Sequence, residues 1–528
     1  MTDVRTTAHQ VLVENGITRI FGNPGSNELP FLVDLPGSIE YVLGLHEGVV
    51  VGMADAWAQV TGRPAFCNLH AGSGTGNAMG ALLNARYSRT PLVISAGQQV
   101  RGVIGMEGML ANVDATMLAK PLVDWAAEPA DAQDVPRALA EAIHTAVGRR
   151  MPTYLSVPYD DWDVECNDNA RLASRRSVTV GREPTAGQIR RVVDLVQAAK
   201  RPVLVLGGDI DTDGLNDRAV QLAERLGSPV WAAPSLFRLP FPNRHELFRG
   251  VLPAGIAPIS QALAPYDLVV VLGAPVFRYH QNVPGDLLAE GTRLLQVTDD
   301  LAAAARAPMG EAFVAEPRAV IEALLGALPS THTSHNHSIP DEPSCAEGGT
   351  HPEEVFAALR KRMPTDTAYI VESTSTNSSF WKQMDLRHQG SYFFPASGAL
   401  GFGLPAAVGA ALAHRDLGTG RHVVGVIGDG SANYALPALW SAVNLGVDVD
   451  IVILRNGTYG ALRWFADLLD VGEVPGLDVP GMDLTRIAAG YDLPALHLPD
   501  AEALDELLAV PRPEGPRLLQ IDTALTQP

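Results

Sequence analysis

The fold of this chain is decided by residues 423–431, which read VVGVIGDGS. The first five of them form an apolar run of the kind that becomes a buried parallel strand. The glycines that follow permit a tight turn at the carboxyl end of that strand and let a ligand approach the backbone closely. A helix predicted over residues 435–443 and a second buried strand over 450–454 complete one βαβ unit, which places the region in the α/β class.

Each of these two predicted strands leads to a polar side chain. Asp429 follows the first strand and Asn456 follows the second. Ligands of open α/β sheets bind at the carboxyl ends of the strands. A carboxylate oxygen, an amide oxygen and a backbone carbonyl are hard donors suited to Mg²⁺, whose other positions can go to a diphosphate and water. The pattern therefore predicts a metal–diphosphate site at this edge of the sheet.

The rest of the chain divides into blocks in which short apolar strands alternate with helical stretches. This alternation predicts an α/β protein with three domains, each with a central, mainly parallel sheet flanked by helices. The expected domain boundaries are residues 1–180, 181–340 and 341–528. Residues 329–351 are rich in Ser, Thr, His, Pro and Gly and are interpreted as a linker, whose histidines are solvated rather than metal-binding.

Composition limits the classes of protein and the kinds of partner to be expected. The net charge of −20 argues against nucleic acid or an anionic membrane as a partner. Three widely spaced cysteines, Cys67, Cys166 and Cys345, suggest a reducing compartment without a disulfide framework. Met1 to Gln10 lack a signal-peptide pattern, and no apolar run approaches the roughly 18 residues that cross a bilayer. We therefore expect a soluble cytoplasmic protein that binds no membrane.

Three polar side chains of the first block also follow predicted strands. Ser26 lies in the turn-forming stretch NPGSNELP, Glu47 follows an apolar strand, and His70 heads a glycine-rich turn. Their positions suggest one site at the edge of the first sheet. Each residue also has a structural interpretation, as a turn residue, a first-turn helix carboxylate and a hydrogen-bonded loop residue, and the residues alone leave both interpretations open.

Gly-Asp-Gly at residues 428–430, followed by Asn456, resembles the diphosphate-binding motif of thiamine diphosphate enzymes. The resemblance covers essentially the whole chain and is most detailed with the thiamine diphosphate-dependent decarboxylases of 2-oxo acids. It is carried by FGNPGSNELPF at 21–31, GTGNAMGAL at 74–82, LSVPYDDW at 155–162, GAPVFRYHQ at 273–281, GDGSANY at 428–434 and NGTYGALRWF at 456–465.

The resemblance implies thiamine diphosphate and Mg²⁺ as cofactors, with Ca²⁺ as an alternative metal. The implied metal ligands are Asp429, Asn456 and the carbonyl of Thr458. One departure is Arg455, because the family usually has a second asparagine at that position. Leu400 is implied as the apolar wedge that bends the cofactor. The other implied cofactor-binding residues are Asn23, Pro24, Gly25, Thr374, Ser375, Gly401, Gly428, Gly430, Ser431, Tyr434, Thr458, Tyr459 and Gly460.

The implied reaction is non-oxidative decarboxylation of an aromatic 2-oxo acid, benzoylformate giving benzaldehyde and carbon dioxide through an ylid and an enamine of the cofactor. By matching positions, Glu47 contacts the aminopyrimidine ring of the cofactor and promotes formation of the ylid. Ser26 holds the substrate carboxylate, His70 donates to the developing alkoxide and His280 protonates the enamine. The implied lining of the aryl pocket is Leu110, Phe394, Leu462 and Phe465. Departures from the family pattern that bear on substrate preference are Met109, Asn377, Pro395 and Ala399.

The resemblance further implies a homo-oligomer with active sites at the subunit interface, where Glu47 of one copy meets Asp429 of another. The minimal active unit is then a dimer, and a dimer of dimers is expected. Two alternative functions stay open: a carboligase or aldehyde lyase that uses the same cofactor, and a decarboxylase of another 2-oxo acid. A non-catalytic nucleotide-binding or regulatory protein that kept the fold is the alternative from a different class.

Overall fold

A computed structural model describes residues 2–173, 175–329, 337–341, 343 and 349–526. Within these residues the strands form three sheets of six strands each. Neighbouring strands pair in parallel throughout. The predicted α/β class with three parallel sheets is therefore confirmed.

The first sheet is built from the N-terminal part of the chain. Its strands are β1 Arg19–Gly22, β2 Glu40–Leu43, β3 Ala65–Leu69, β4 Leu92–Gln98, β5 Trp125–Ala127 and β6 Thr153–Pro158, in the order β2-β1-β3-β4-β6-β5. Its helices are α1 Val4–Glu14, α2 Leu29–Leu32, α3 Glu47–Thr61, α4 Ala71–Tyr87, α5 Arg101–Ile104, α6 Ala115–Leu118, α7 Val135–Arg149 and α8 Asp168–Ala173.

The second sheet follows in the middle of the chain. Its strands are β7 Pro202–Leu206, β8 Val230–Ala232, β9 Phe248–Val251, β10 Leu268–Leu272, β11 Arg293–Thr298 and β12 Glu311–Val314, in the order β12-β11-β10-β7-β8-β9. Its helices are α9 Ala186–Ala198, α10 Gly208–Thr212, α11 Asn216–Leu226, α12 Ile256–Leu263, α13 Leu301–Arg306 and α14 Pro317–Ala327.

The third sheet contains the two strands from which the fold was predicted. Its strands are β13 Ala368–Glu372, β14 Tyr392–Phe393, β15 Val423–Gly428, β16 Asp450–Arg455, β17 Ala495–Leu498 and β18 Arg517–Asp522, in the order β14-β13-β15-β16-β18-β17. Its helices are α15 Pro352–Arg362, α16 Asn377–Gln383, α17 Gly403–Leu417, α18 Asp429–Ala432, α19 Ala438–Leu445, α20 Gly460–Leu468, α21 Leu484–Ala489 and α22 Ala501–Leu508.

The central strands are buried on both faces, as their apolar sequences require. All five residues of β10 and the first five of β15 are buried, because helices cover both faces of a parallel sheet. The helix predicted over residues 435–443 is wrong in its start. The chain first forms the short α18, and α19 begins only after Pro437, whose fixed φ and missing N–H suit a helix start.

The first and third sheets share one hydrophobic core, in which α3 packs closely on α17. Two glycines make this approach possible. A Cβ at Gly52 would lie 2.7 Å from the ring of Pro405, and a Cβ at Gly409 would lie 2.2 Å from the carbonyl oxygen of Met53. The helix that begins at Glu47 is thereby fixed against the domain that carries Asp429.

Two further expectations concern the chain as a whole. No helix among the described residues combines the length and the apolar character needed to cross a membrane. Cys67 and Cys166 are buried and form no disulfide, whereas Cys345 lies outside the described residues. Most of the predicted linker at 329–351 also lies outside them.

Candidate active site

Three neighbouring strands bring the candidate catalytic residues of the first domain to one sheet edge. β2, β1 and β3 are adjacent, and the segments that follow them carry Glu47, Ser26 and His70 respectively. Because the strands are parallel, all three segments leave the sheet at the same edge. The structure therefore brings these three predicted residues into one region.

Glu47 is a buried carboxylate held by two amides. It is the first residue of α3 and only 5% exposed. Asn23 donates to its Oε1 at 3.2 Å and Asn77 donates to its Oε2 at 3.0 Å. A Cβ at Gly74 would stand 2.9 Å from Oε1, so the glycine-rich start of α4 makes room for this carboxylate. Asn77 was missed by the sequence analysis, although it lies in the quoted stretch GTGNAMGAL.

Glu28, a residue not predicted from the sequence, organises the surroundings of His70. The side chain is fully buried. Its Oε2 accepts from His70 Nδ1 at 2.8 Å and from the Gly25 N–H at 3.0 Å. Its Oε1 accepts from the N–H groups of Gly97 at 2.9 Å and Ala71 at 3.1 Å. A carboxylate is an acceptor only, so His70 Nδ1 carries the proton of this bond and Nε2 is left for a ligand.

Ser26, two residues before Glu28, is more open than either carboxylate. It is exposed in the loop after β1, and its hydroxyl donates to Asn27 Oδ1 at 3.3 Å. The Gly25 N–H bond to Glu28 fixes the backbone immediately before it. An exposed hydroxyl with a single long hydrogen bond is available to bind a ligand oxygen.

The predicted metal ligands lie at the ends of adjacent strands of the third sheet. Gly428 of β15 is in register with Leu454 of β16, so Asp429 and Asn456 follow side by side. Asp429 is buried, which raises the pKa of its carboxyl, and its Oδ2 accepts from the Gly457 N–H at 2.9 Å. Asn456 Oδ1 accepts from the Thr458 N–H at 3.1 Å.

This donor set fits a hard divalent cation. The Thr458 hydroxyl is committed, since it donates to the carbonyl of Leu477 at 2.8 Å, whereas its carbonyl accepts only one N–H, from Gly460 at 3.0 Å. One carboxylate, one amide oxygen and one carbonyl are therefore available together. No group of three or more His, Cys, Asp or Glu suited to a metal occurs among the described residues, and this set needs none, because two of its donors are amide oxygens.

The other residues predicted to bind the cofactor surround this point. Asn456 Nδ2 donates to the Ser375 hydroxyl at 3.4 Å. A Cβ at Gly401 would lie 2.9 Å from the Cβ of Tyr434, and one at Gly430 would lie 2.7 Å from the ring of Tyr459. A side chain at either glycine would therefore collide with these tyrosines. We call Ser375, Gly401, Gly430, Tyr434 and Tyr459 the cradle. The remaining predicted residues of the third domain lie at the ends of strands, in short helices or in the connections that follow them: Thr374, Leu400, Gly428, Ser431, Thr458 and Gly460. Asn23, Pro24 and Gly25 lie instead beside Glu47 and Glu28.

Glu372 supports the loop that carries Leu400, and no motif or spacing in the sequence points to this role. It is the last residue of β13 and is completely buried. Its two oxygens accept from the N–H groups of Phe402 and Gly403, both at 3.0 Å. Burial raises the pKa of its carboxyl to about 7, and these N–H donors oppose the shift. The carboxyl thus anchors the start of α17 directly after the predicted wedge residue.

His280 comes from the central domain and meets the third domain. Its ring lies 5.1 Å from the ring of Phe465, nearly perpendicular to it. Phe465 and the half-exposed Leu462 both lie on α20. Phe394 stacks on Tyr392 and packs into the core of the third domain. The structure therefore joins His280 to one side of the predicted pocket.

The predicted site residues form two separate groups. Ser26, Glu47, His70 and Leu110 belong to the first domain, and Leu110 is exposed there with a positive φ of 68°. The metal ligands, the cradle and the His280–Phe465 contact belong to the second group. Among the described residues, no hydrogen bond, ion pair or ring contact joins a member of one group to a member of the other.

Comparison with known families and proteins agrees with this organisation. The models for thiamine pyrophosphate enzymes match at residues 3–118 (N-terminal TPP binding domain), 189–324 (central domain) and 373–521 (C-terminal TPP binding domain). The benzoylformate decarboxylase of Pseudomonas aeruginosa is 52% identical over 535 residues, an alignment that covers 100% of both chains.

Solved structures give the same result. The thiamine diphosphate-dependent 4-hydroxybenzoylformate decarboxylase of Rhodococcus jostii RHA1 is 50% identical, with a TM-score of 0.95 and 100% of both chains covered. The benzoylformate decarboxylase of Polynucleobacter necessarius is 33% identical, again with a TM-score of 0.95 and 100% of both chains covered.

Proposed function

This chain belongs to the thiamine diphosphate-dependent enzymes, and on that premise we propose that it is a carboxy-lyase that converts benzoylformate to benzaldehyde and carbon dioxide. The observation that carries the proposal is the cluster of Ser26, Glu47 and His70 at three neighbouring strand ends. Similarity over the full length to decarboxylases of benzoylformate and 4-hydroxybenzoylformate supports an aryl 2-oxo acid as the substrate.

The third domain is proposed to hold the cofactor's diphosphate through Mg²⁺. Asp429, Asn456 and the Thr458 carbonyl are its ligands, and the same oxygens suit Ca²⁺. When bound, thiamine diphosphate supplies a nucleophilic carbon and an electron sink for the bond that releases carbon dioxide. In domain terms, residues 1–180 bind the pyrimidine, 181–340 form the central domain and 341–528 bind the diphosphate and metal.

The first domain supplies the groups that handle protons and the substrate carboxylate. Glu47, buried and held by two amides, exchanges a proton with the pyrimidine ring. Ser26 donates its hydroxyl to the substrate carboxylate. His70, when protonated, keeps Nδ1–H on Glu28 and offers Nε2–H to the oxygen on which negative charge develops.

His280 completes the reaction from the central domain. It delivers the proton that takes the place of the lost carboxyl group, and its edge-on contact with Phe465 holds the ring at the pocket wall. Leu110, Phe394, Leu462 and Phe465 are proposed to line an apolar pocket for the aryl ring, with few polar groups to fix its orientation.

The active site is proposed to form between two copies of the chain. Among the described residues, no hydrogen bond, ion pair or ring contact joins its two groups within one chain, whereas a partner copy can supply the missing group to each. A dimer is then the minimal active unit, and a dimer of dimers the expected assembly. The free, buried Cys67 and Cys166 support a cytoplasmic location.

The test is release of aldehyde from benzoylformate, with 4-hydroxybenzoylformate, pyruvate and phenylpyruvate as competing substrates, in the presence and absence of thiamine diphosphate and Mg²⁺. We expect cofactor-dependent benzaldehyde release, with the aryl substrates preferred, and loss of turnover in Glu47→Gln. Preference for pyruvate would reject the aryl pocket and keep the mechanism. Cofactor binding without any decarboxylation would favour carboligation or aldehyde lysis.

A further inference from the structure

Arg455 forms an ion pair with Asp522 in the structure, and Asp522 Oδ2 also lies 3.3 Å from His497 Nε2. Arg455 stands directly before the metal ligand Asn456, where the motif usually carries asparagine. It is the last residue of β16 and is in register with Asp522, the last residue of β18. Its Nε donates to Oδ1 and its Nη2 to Oδ2 of Asp522, both at 2.6 Å. These two parallel bonds are the arrangement in which guanidinium and carboxylate pair best.

The charge of Arg455 also reaches the metal site. Leu454 of β16 is in register with Gly428 of β15, so Arg455 and Asp429 follow at neighbouring strand ends. An unpaired, cationic Arg455 this close to Asp429 would compete electrostatically with a divalent cation bound there. The Asp522 carboxylate offsets that positive charge.

A chain of hydrogen bonds connects Arg455 to the turn that presents Asp429. Arg455 Nη1 donates to the Met482 carbonyl at 2.7 Å. Asn433 Nδ2 donates to the Met482 sulfur at 2.7 Å and to the carbonyl of Asp429 at 2.8 Å. The arginine therefore ties the metal loop to the turn after β15 as well as to β18.

We propose that Asp522 is the counter-charge that allows this chain to carry an arginine beside its metal ligand, so that the Arg455–Asp522 pair sets the affinity for the divalent metal. Neither residue touches substrate, and both act by positioning and charge. The inference rests on the proposed function, because it takes Asp429 and Asn456 as ligands of Mg²⁺.

The experiment measures metal binding, not turnover. Mg²⁺ and Mn²⁺ are titrated by calorimetry into metal-free enzyme with saturating thiamine diphosphate. We expect Asp522→Asn to raise the metal Kd about three- to tenfold, since the pair is only partly buried, at 28% and 46% exposure. The difference should shrink as salt rises from about 0.05 to 0.5 M, because ions screen an exposed charge.

The double variant Arg455→Asn/Asp522→Asn distinguishes charge balance from loss of structure. Removing both charges should return the metal Kd to within about twofold of wild type, which a double-mutant cycle expresses as coupling between the two residues. Arg455→Asn alone should bind metal at least as tightly as wild type, and it keeps the test available if Asp522→Asn does not fold.

A matched control lies in the same domain. Arg362 donates to Asp505 through Nε at 2.7 Å and Nη2 at 2.8 Å, with 30% and 23% exposure. This pair joins α15 to α22, away from the metal loop. Asp505→Asn should therefore leave the metal Kd unchanged.

The outcomes separate the two proposals. Wild-type protein that binds neither thiamine diphosphate nor metal would overturn the proposed function. Normal wild-type binding together with an unchanged metal Kd in Asp522→Asn would overturn this inference alone. A double variant as weak as Asp522→Asn, or a defect that salt does not reduce, would show that Asp522 acts through structure and would also overturn it.

Discussion

Glu28 shows how one buried carboxylate can orient a histidine that is proposed to be catalytic. Its four hydrogen bonds join the loop before Ser26, the start of α4, the end of β4 and the ring of His70. Such an acceptor fixes both the orientation and the tautomer of the imidazole. A Cβ at Gly25 would lie 1.9 Å from His70 Nδ1, so the ring packs directly on that backbone.

Glu28→Gln is expected to lower kcat about 100-fold, because misplacement of a catalytic group by about 1 Å is enough for such a loss. The amide group would turn a donor toward N–H groups that now find acceptors. Thiamine diphosphate should still bind, since the proposed metal and diphosphate ligands lie in the other group, and any weakening should be small against the loss of kcat because only the Gly25 side of the proposed cofactor site adjoins Glu28. Steady-state kinetics and calorimetry on the same sample check both statements.

Ser26→Ala serves as the comparison for that variant. It should slow turnover and weaken substrate binding while leaving the hydrogen bonds of Glu28 intact. Glu28→Gln, in contrast, should act on kcat more than on KM. If Glu28→Gln keeps near-normal kcat with a folded structure, His70 does not depend on this carboxylate for its position.

Because His414 is buried, we expect the free energy of unfolding to fall in mild acid. His414 lies near the end of α17, where its Nδ1 contacts the Thr419 hydroxyl at 2.9 Å, and burial lowers its pKa to about 4. Because the pKa of His414 is lower in the folded than in the unfolded protein, its contribution to the free energy of unfolding is fully present above the unfolded pKa of about 6.5. That contribution is lost as the pH falls toward 4. The loss between pH 7 and 5 should be at most about 2 kcal/mol.

Urea unfolding of wild type and His414→Asn at pH 7 and pH 5 measures this contribution. The variant should be less stable at pH 7 but lose less of its stability on acidification. Glu372, whose pKa is raised to about 7, acts in the opposite sense, because its contribution to the free energy of unfolding increases as the pH falls. Its contribution is common to both proteins and cancels in the comparison. Equal acid losses in the two proteins would contradict the assignment to His414.

At the scale of elements, the crossing of α3 and α17 couples the first domain to the third. Gly409→Ala would place a Cβ 2.2 Å from the Met53 carbonyl oxygen, and this atom is backbone, so the helices must separate. Overpacking of this kind costs about 1–3 kcal/mol or more. We expect a lower midpoint of thermal unfolding and, because Glu47 begins α3, weaker cofactor binding.

The control for that substitution is Gly80→Ala in α4. Nothing lies within 4 Å of a Cβ at Gly80, which is exposed on its helix. Alanine there should stabilise the protein by up to about 1 kcal/mol through helix propensity. Two glycine-to-alanine changes with opposite signs would show that the crossing, not helix propensity, decides the result at Gly409.

Elements were predictable from the sequence where the signal is local. The strands predicted over residues 423–427 and 450–454 form β15 and β16, each one residue longer than predicted, because apolar runs bounded by turns specify buried strands. The predicted helix over 435–443 missed the break before Pro437, since periodicity is a poor guide to helix ends. Glu28 and Glu372 could not be assigned from pattern, because their roles depend on N–H donors distant in sequence.

At the scale of the whole molecule, Arg89 of the first domain reaches the carboxyl edge of the central domain's sheet, where α/β sheets commonly bind ligands. Arg89 places Nη1 2.6 Å from a carboxylate oxygen of Asp209 and of Asp299, at the ends of β7 and β11. A Cβ at Gly207 would lie 2.1 Å from the Gly273 carbonyl oxygen. The glycines after β7 thus permit close packing between loops of the central domain. The ion pairs of Arg89 attach the first domain to the central domain.

The separation of the site into two groups predicts complementation between inactive variants. Glu47→Gln and Asp429→Asn each remove one group and should each be inactive as homo-oligomers. If one copy supplies the first-domain group and another the metal group, a mixed pair regains one intact site of two. Random exchange of subunits should then restore about a quarter of the wild-type specific activity.

A second mixture gives the control. Glu47→Gln and His70→Ala alter the same group, so every site of a mixed pair receives a damaged first-domain group and no activity should return. Both mixtures are prepared by joint unfolding and refolding, and benzaldehyde release is measured after assembly is confirmed by size. Because a site built within one chain cannot be repaired by a partner, recovery in the first mixture alone requires sites shared between copies. Failure of both mixtures to recover, with oligomers formed, would place each complete site within a single chain.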